Sequence, residues 1–231
     1  MFERGSRLWM VLAATGLGVA LIGAMAAQAT GPKLSGGTQV EEESVRLTAD
    51  GNWVVYIEYD SPGGTLYSTS IDGITTHQLA DAPITGGALF IQPRVSPDSQ
   101  RAVLLADRET DDVWEHFAAP IDGSSVPVKL NTTRVAGGDV ISDFYVTADS
   151  ARVIYTADQN TDEVFEVVSV PIDGSSSPTK LNGSLTAGGD VWLGWPSPDG
   201  QTVVYRADQN TDDRWELFAV PSDGSSSAVK I

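Results

Sequence analysis

Cysteine is absent from this 231-residue chain, and only two histidines occur, His77 and His116. Disulfides, thiolate catalysis and cysteine-built zinc sites are thereby excluded, and a histidine-rich catalytic metal centre has too few ligands. Basic residues are also scarce: 14 Lys+Arg stand against 31 Asp+Glu, for a net charge of −17. Counterion release on a nucleic acid needs rows of Lys and Arg, so a nucleic-acid partner is disfavoured. The sequence has no G-x-S-x-G elbow and no glycine-rich phosphate loop running from a strand into a helix. Without a nucleophile–base set the chain reads as non-catalytic. Carboxylates are so abundant that no glycosidase pair can be singled out.

A hydrophobic share of 41% is enough for a core. The N-terminus has Arg4 and Arg7, an apolar run from Leu8 to Met25, and Ala27-Gln28-Ala29. This is the three-part pattern of a secretory signal over residues 1–29, cleaved after Ala29, and it predicts a secreted or periplasmic protein. The alternative is an uncleaved membrane anchor, because the apolar run approaches the roughly 18 residues of a span. Residues 30–39 read as a flexible leader.

The rest is a repeat. Thr48-Ala49-Asp50, Ser96-Pro97-Asp98, Thr147-Ala148-Asp149 and Ser197-Pro198-Asp199 recur about every fifty residues. A second series keeps the same period at Asp72-Gly73, Asp122-Gly123, Asp173-Gly174 and Asp223-Gly224, and a third at Gly86-Gly87, Gly137-Gly138 and Gly188-Gly189. Within a unit, β-branched and aromatic runs alternate with turn residues. In the third unit the runs are 141–147, 152–156, 164–170 and 178–181. Four short strands in about fifty residues predict an all-β propeller of four-stranded blades, at about 40–80, 89–130, 140–181 and 191–231. Apolar residues that recur from unit to unit are its core: Val55, Val103, Ile154 and Val204 on the second strand, and Trp114, Phe165 and Trp215, with Tyr67, Phe117, Val168 and Phe218, on the third. The aspartates of the recurring triplets are turn residues. His116 stands where units three and four have Val167 and Leu217, and reads as a tolerated strand residue rather than a base.

The fourth unit runs Ser197-Pro198-Asp199-Gly200, Thr202-Val203-Val204-Tyr205, a polar hairpin, Glu216-Leu217-Phe218-Ala219-Val220, then Asp223-Gly224. It resembles the TolB-type, WD-like propeller repeat, and the resemblance covers residues 40–231. That family includes periplasmic partner-binding subunits, propeller domains attached to prolyl-oligopeptidase-type peptidases, and polysaccharide lyases. The resemblance therefore implies a fold and leaves two functions open: a binding or scaffold module, or the propeller portion of a peptidase or lyase. Its members usually have six or more blades. Four units are visible here, which predicts a four-bladed ring, part of a larger propeller, or an open arc completed by association of copies.

In a blade of this kind the loop between the second and third strands shares a face with the connector to the next blade. That face gathers Asp107 and Asp111, Asp158-Gln159-Asn160-Thr161-Asp162, Asp208-Gln209-Asn210-Thr211-Asp212, and the connector residues Asp139 and Asp190. The D-x-N-x-D pattern resembles the first half of a calcium loop, so Asp158, Asn160, Asp162, Asp208, Asn210 and Asp212 are candidate calcium ligands. No glycine at the sixth position and no closing bidentate Glu follow, so the pattern equally suits hairpins that satisfy their own backbone. Asp107, Asp111, Asp139 and Asp190 are candidate contacts for a protein or glycan partner, since clustered carboxylates favour a basic surface or a cation.

Overall fold

The computed structural model describes residues 39–59, 63–89 and 92–231. The expected signal segment lies outside them, as does nearly all of the leader. The described chain is almost wholly strand and turn, with a single 3-10 turn at Glu42–Ser44. Its sixteen strands form four antiparallel sheets of four, each ordered as in the sequence. Blade one holds β1 (Arg46–Leu47), β2 (Trp53–Glu58), β3 (Thr65–Ser70) and β4 (Thr76–Asp81). Blade two holds β5 (Arg94–Val95), β6 (Arg101–Ala106), β7 (Glu115–Pro120) and β8 (Val128–Lys129). Blade three holds β9 (Val140–Val146), β10 (Arg152–Ala157), β11 (Glu166–Pro171) and β12 (Thr179–Lys180). Blade four holds β13 (Val191–Pro196), β14 (Thr202–Ala207), β15 (Glu216–Pro221) and β16 (Val229–Lys230).

The recurring triplets explain the first turn of each blade. The hydroxyl of Thr48, Ser96, Thr147 or Ser197 donates to the aspartate two residues on, at 2.5–2.6 Å. That carboxylate then accepts the backbone N–H of Asn52, Gln100, Ala151 or Gln201 at 3.0 Å. The aspartate thus satisfies backbone groups the turn would otherwise leave bare. These turns also tie blades together, because Ser99 and Ser150 accept the N–H of Asp50 and Asp98 from the preceding blade, at 3.1 and 2.9 Å.

Alternation along each strand gives every blade two apolar faces, and each face packs on a neighbour. Ile57, Leu66 and Val55 of blade one pack with Leu104, Phe117 and Ile121 of blade two. Val103 and Leu105 of blade two pack with Phe144, Tyr155 and Val168 of blade three. Ile154 and Val167 of blade three pack with Tyr205, Phe218 and Val220 of blade four. The third junction is so close that a Cβ on Gly194 would stand 2.6 Å from Val167 Cγ2. Trp114 packs into the second junction as expected. Trp215 does not: it is exposed, and it joins none of the hydrophobic clusters of the described residues. Among the described residues no hydrophobic cluster joins blade four to blade one, so the stack is open at that end.

Candidate functional site: the acidic loop face

The loops between second and third strands do meet the connectors between blades, and one buried aspartate per loop makes the joint. Asp107 accepts the N–H of Ala88 and of Asp112, the latter at 3.2 Å. Asp158 accepts from Asp139 and, at 2.9 Å, from Glu163. Asp208 accepts from Asp190 at 2.6 Å and from Asp213 at 2.9 Å. The backbone answers in the other direction, with Asp107, Asp158 and Asp208 N–H donating to the carbonyls of Ala88, Asp139 and Asp190 at 3.1–3.2 Å. Each loop base is therefore a closed clamp, and both oxygens of its aspartate are engaged.

The same clamp accounts for the glycine pairs and the second aspartate of each loop. Gly137 and Gly188 have φ of 88° and 82°, and a Cβ on them would stand 2.6 and 3.0 Å from the carboxylates of Asp162 and Asp212. Only glycine combines that backbone with so close an approach. The next residue in each loop, Asp112, Glu163 or Asp213, takes φ of 61° and is exposed. The asparagines turn the other way: Asn160 and Asn210 donate to Glu166 and Glu216 at 2.7 and 3.0 Å, carboxylates also held by Lys180 and Lys230. The hydrogen bond from Lys230 is the largest cause holding the Glu216 carboxyl below its ordinary range.

The six candidate calcium ligands are therefore not arranged as one set per loop. Asp158 and Asp208 are buried clamps, Asn160 and Asn210 serve the strands, and Asp162 and Asp212 lie against glycines. Carboxylate oxygens do converge within 4.8 Å at Asp208, Asp212 and Asp213, and at Asp107, Asp111 and Asp112. In each trio one member is the buried clamp and two are exposed. Of the candidate partner contacts, Asp111 and Asp139 are exposed, Asp190 is half-buried and spends Oδ1 on the Phe165 N–H at 2.9 Å, and Asp107 is buried.

Basic residues on this face carried no motif and were not singled out from the sequence. Arg108 reaches back to blade one, donating to the Asp81 carbonyl and carboxylate at 3.1 and 3.2 Å, with its guanidinium over Phe117. Lys129 bridges Glu109 and Glu115 at 2.7 and 3.1 Å. Burial works against its ammonium, but those two carboxylates outweigh it and raise its pKa. Lys129 and Arg134 border an open cleft of about 420 Å³ between the blade-two loop and its connector, with Glu109, Asp112, Glu115 and Asp139 on the other walls. Arg134 occurs in this connector alone, which was the one legible sign of the cleft. The histidines are elsewhere. His77 lies beside Trp53 in blade one, their rings tilted by 40°, and His116 is fully buried between Phe144 and Tyr155.

No family model and no curated protein matches the chain. Solved structures do. TolB from Acinetobacter baumannii superposes with a TM-score of 0.50 at 13% identity, over 84% of this chain and 43% of its own. A puromycin hydrolase S511A mutant complexed with PGG gives 0.52 at 15%, over 80% and 28%. The tricorn protease gives 0.55 at 15%, over 77% and 18%. The chain spans less than half the length of each. At such identities the likeness is one of fold: these four sheets are propeller blades of the kind found in TolB and in peptidases, as the repeat predicted.

Proposed function

We propose that this stack of propeller blades is a non-catalytic binding or scaffold module, acting outside the cytoplasm, that offers its acidic loop face to a basic region of a protein or glycan. The observation that carries this reading is the loop architecture. Asp111, Asp112, Asp162, Glu163, Asp212 and Asp213 are exposed on one face, on loops whose bases are clamped by buried aspartates. Fixed like charges raise the association rate of an oppositely charged partner without loop ordering at the moment of contact. His116 is walled off from any substrate, which agrees with a role other than acid–base chemistry.

The test uses the exposed loop residues with positive φ, whose side chains make no hydrogen bond or ion pair among the described residues. Asp112→Asn, Glu163→Gln and Asp213→Asn together should weaken binding to poly-L-lysine in 50 mM salt at least tenfold. The control Glu41→Gln, Glu42→Gln and Glu43→Gln, with the same charge change, should alter it less than twofold. Equal losses would show that net charge alone attracts the probe and would remove the loop face from the reading.

A second reading, the propeller portion of a larger enzyme, is favoured by the hydrolase and protease among the similar structures. A hydrolase domain encoded in frame after Ile231 would support it over the first.

A further inference from the structure

The inner edge of the stack carries charge of the other sign. The first strands of successive blades lie side by side, β1 beside β5 and β5 beside β9. One register position recurs along them: Arg46 pairs with Val55, Arg94 with Val103 and Tyr145 with Ile154. These three stand two residues before the Thr48, Ser96 and Thr147 turns, so the row lies at the opposite end of the blades from the acidic loops.

Acids outnumber bases by 31 to 14 in this chain, yet the positive charge of this row is poorly met. Arg46 has no carboxylate in ion-pair contact among the described residues. Its Nη1 donates instead to the carbonyls of Glu43 and Val45, at 2.7 and 2.9 Å. Burial, and after it the charge of Arg94, lower the pKa of Arg46, and Glu43 offsets only part of this. Arg94 meets one carboxylate, Asp143, at a long 3.4 Å, and the two side chains are 40% and 53% exposed. The Arg94 guanidinium is held against aromatic rings, 5.4 Å from the centroid of Phe144 and 5.1 Å from that of Tyr145. The half-buried Tyr145 has a hydroxyl with no hydrogen-bond partner among the described residues. Two neighbouring cations and a spare O–H donor thus line one strip, and like charges held side by side repel unless an anion joins them.

We propose that Arg46, Arg94 and Tyr145 bind a multiply charged oxyanion, a phosphate or polycarboxylate group, at the inner edge of blades one to three. A guanidinium fork matches the oxygens of either group, and a multiply charged anion answers two cations where the single exposed carboxylate of Asp143 does not. Asp143 is the internal competitor for Arg94, and an exposed pair of that length is readily displaced. This site is separate from the acidic loop face and takes a ligand of the opposite charge.

Isothermal titration calorimetry of the purified chain tests this, with inorganic phosphate and citrate as probes in about 20 mM salt, where screening is weak. The wild type binds at least one probe saturably. Saturation by phosphate alone identifies a phosphate ligand, and saturation by citrate alone a carboxylate ligand. Arg46→Gln and Arg94→Gln each weaken binding at least about tenfold, the loss of a charge-assisted hydrogen bond. Asp143→Asn tightens it about threefold, because the competing carboxylate is gone. Arg214→Gln makes the same charge change on a 70% exposed blade-four side chain and alters binding less than about twofold. Melting temperatures report that each variant folds; should Arg94→Gln fold poorly, Arg46→Gln and Asp143→Asn carry the test. No saturable binding of either probe by the wild type overturns the proposal. So does a loss in Arg214→Gln equal to that in Arg46→Gln, which would mean that net charge alone attracts the probe.

Discussion

Replacing His116 by leucine should stabilise the protein, and the gain should grow as the solution is acidified. The imidazole is 0% exposed, and among the described residues neither Nδ1 nor Nε2 has a hydrogen-bond partner. It packs instead against Phe144 and Tyr155 across the second junction, with ring centroids 4.8 and 5.0 Å away. Leaving buried polar atoms unpaired costs about 1–3 kcal/mol, which leucine avoids, so His116→Leu should gain about that much at pH 7.5. Burial also lowers the pKa of His116 to about 3. The unfolded chain, with an ordinary value near 6.5, therefore takes up its proton first, and wild-type stability falls as pH drops from about 6.5 towards 3. At about 1.4 kcal/mol per unit, pH 4.5 adds roughly 2.7 kcal/mol to the difference between the two proteins. Other acidic groups titrate alike in both and cancel. Urea unfolding followed by tryptophan fluorescence at pH 7.5, 6.0 and 4.5 measures this directly. Parallel pH profiles, or a variant less stable than wild type at pH 7.5, would refute the argument.

Two further predictions concern the loop face. Asp158→Ala leaves the N–H groups of Asp139 and Glu163 without their acceptor, and should cost about 2–4 kcal/mol in urea unfolding. Asp162→Ala, whose carboxylate only lies against Gly137, should cost less than half as much. Millimolar calcium against a chelator should shift the melting temperature by under about 1 °C, because Asp107 and Asp208 already give both oxygens to backbone amides. A rise of several degrees would place an ion among the trios of carboxylates, since a native-state ligand must stabilise.

The blade architecture was legible because its causes are local and repeated. Asp-Gly and Ser-Pro-Asp turns declare themselves within four residues, and alternation marks both faces of each strand. His116 was likewise readable as a strand residue because it occupies the position that Val167 and Leu217 hold in the next two units. The roles of the loop aspartates were not readable from the loop. Asp158 is explained by Asp139 and by a glycine pair some twenty residues upstream, a contact that local spacing in D-x-N-x-D does not contain. The constant interval between glycine pair and loop was the only hint. Trp215 misled for the opposite reason. It matches Trp114 and Phe165 in sequence, but burial needs a surface packed against the side chain, and repetition within one unit says nothing about its neighbour.

Neighbouring blades are joined by main chain as well as by side chains. The N–H of Leu89 donates to the Gly63 carbonyl at 2.9 Å, and that of Val191 to the Phe165 carbonyl at 3.0 Å. The entry to one blade is thus pinned to the hairpin of the blade before it, by bonds that belong to neither sheet's own ladder. Melting a single blade would strand polar groups in its neighbour, so opening should spread in steps of more than one repeat, and slow amide exchange at Leu89 and Val191 would report on the seams rather than on the sheets.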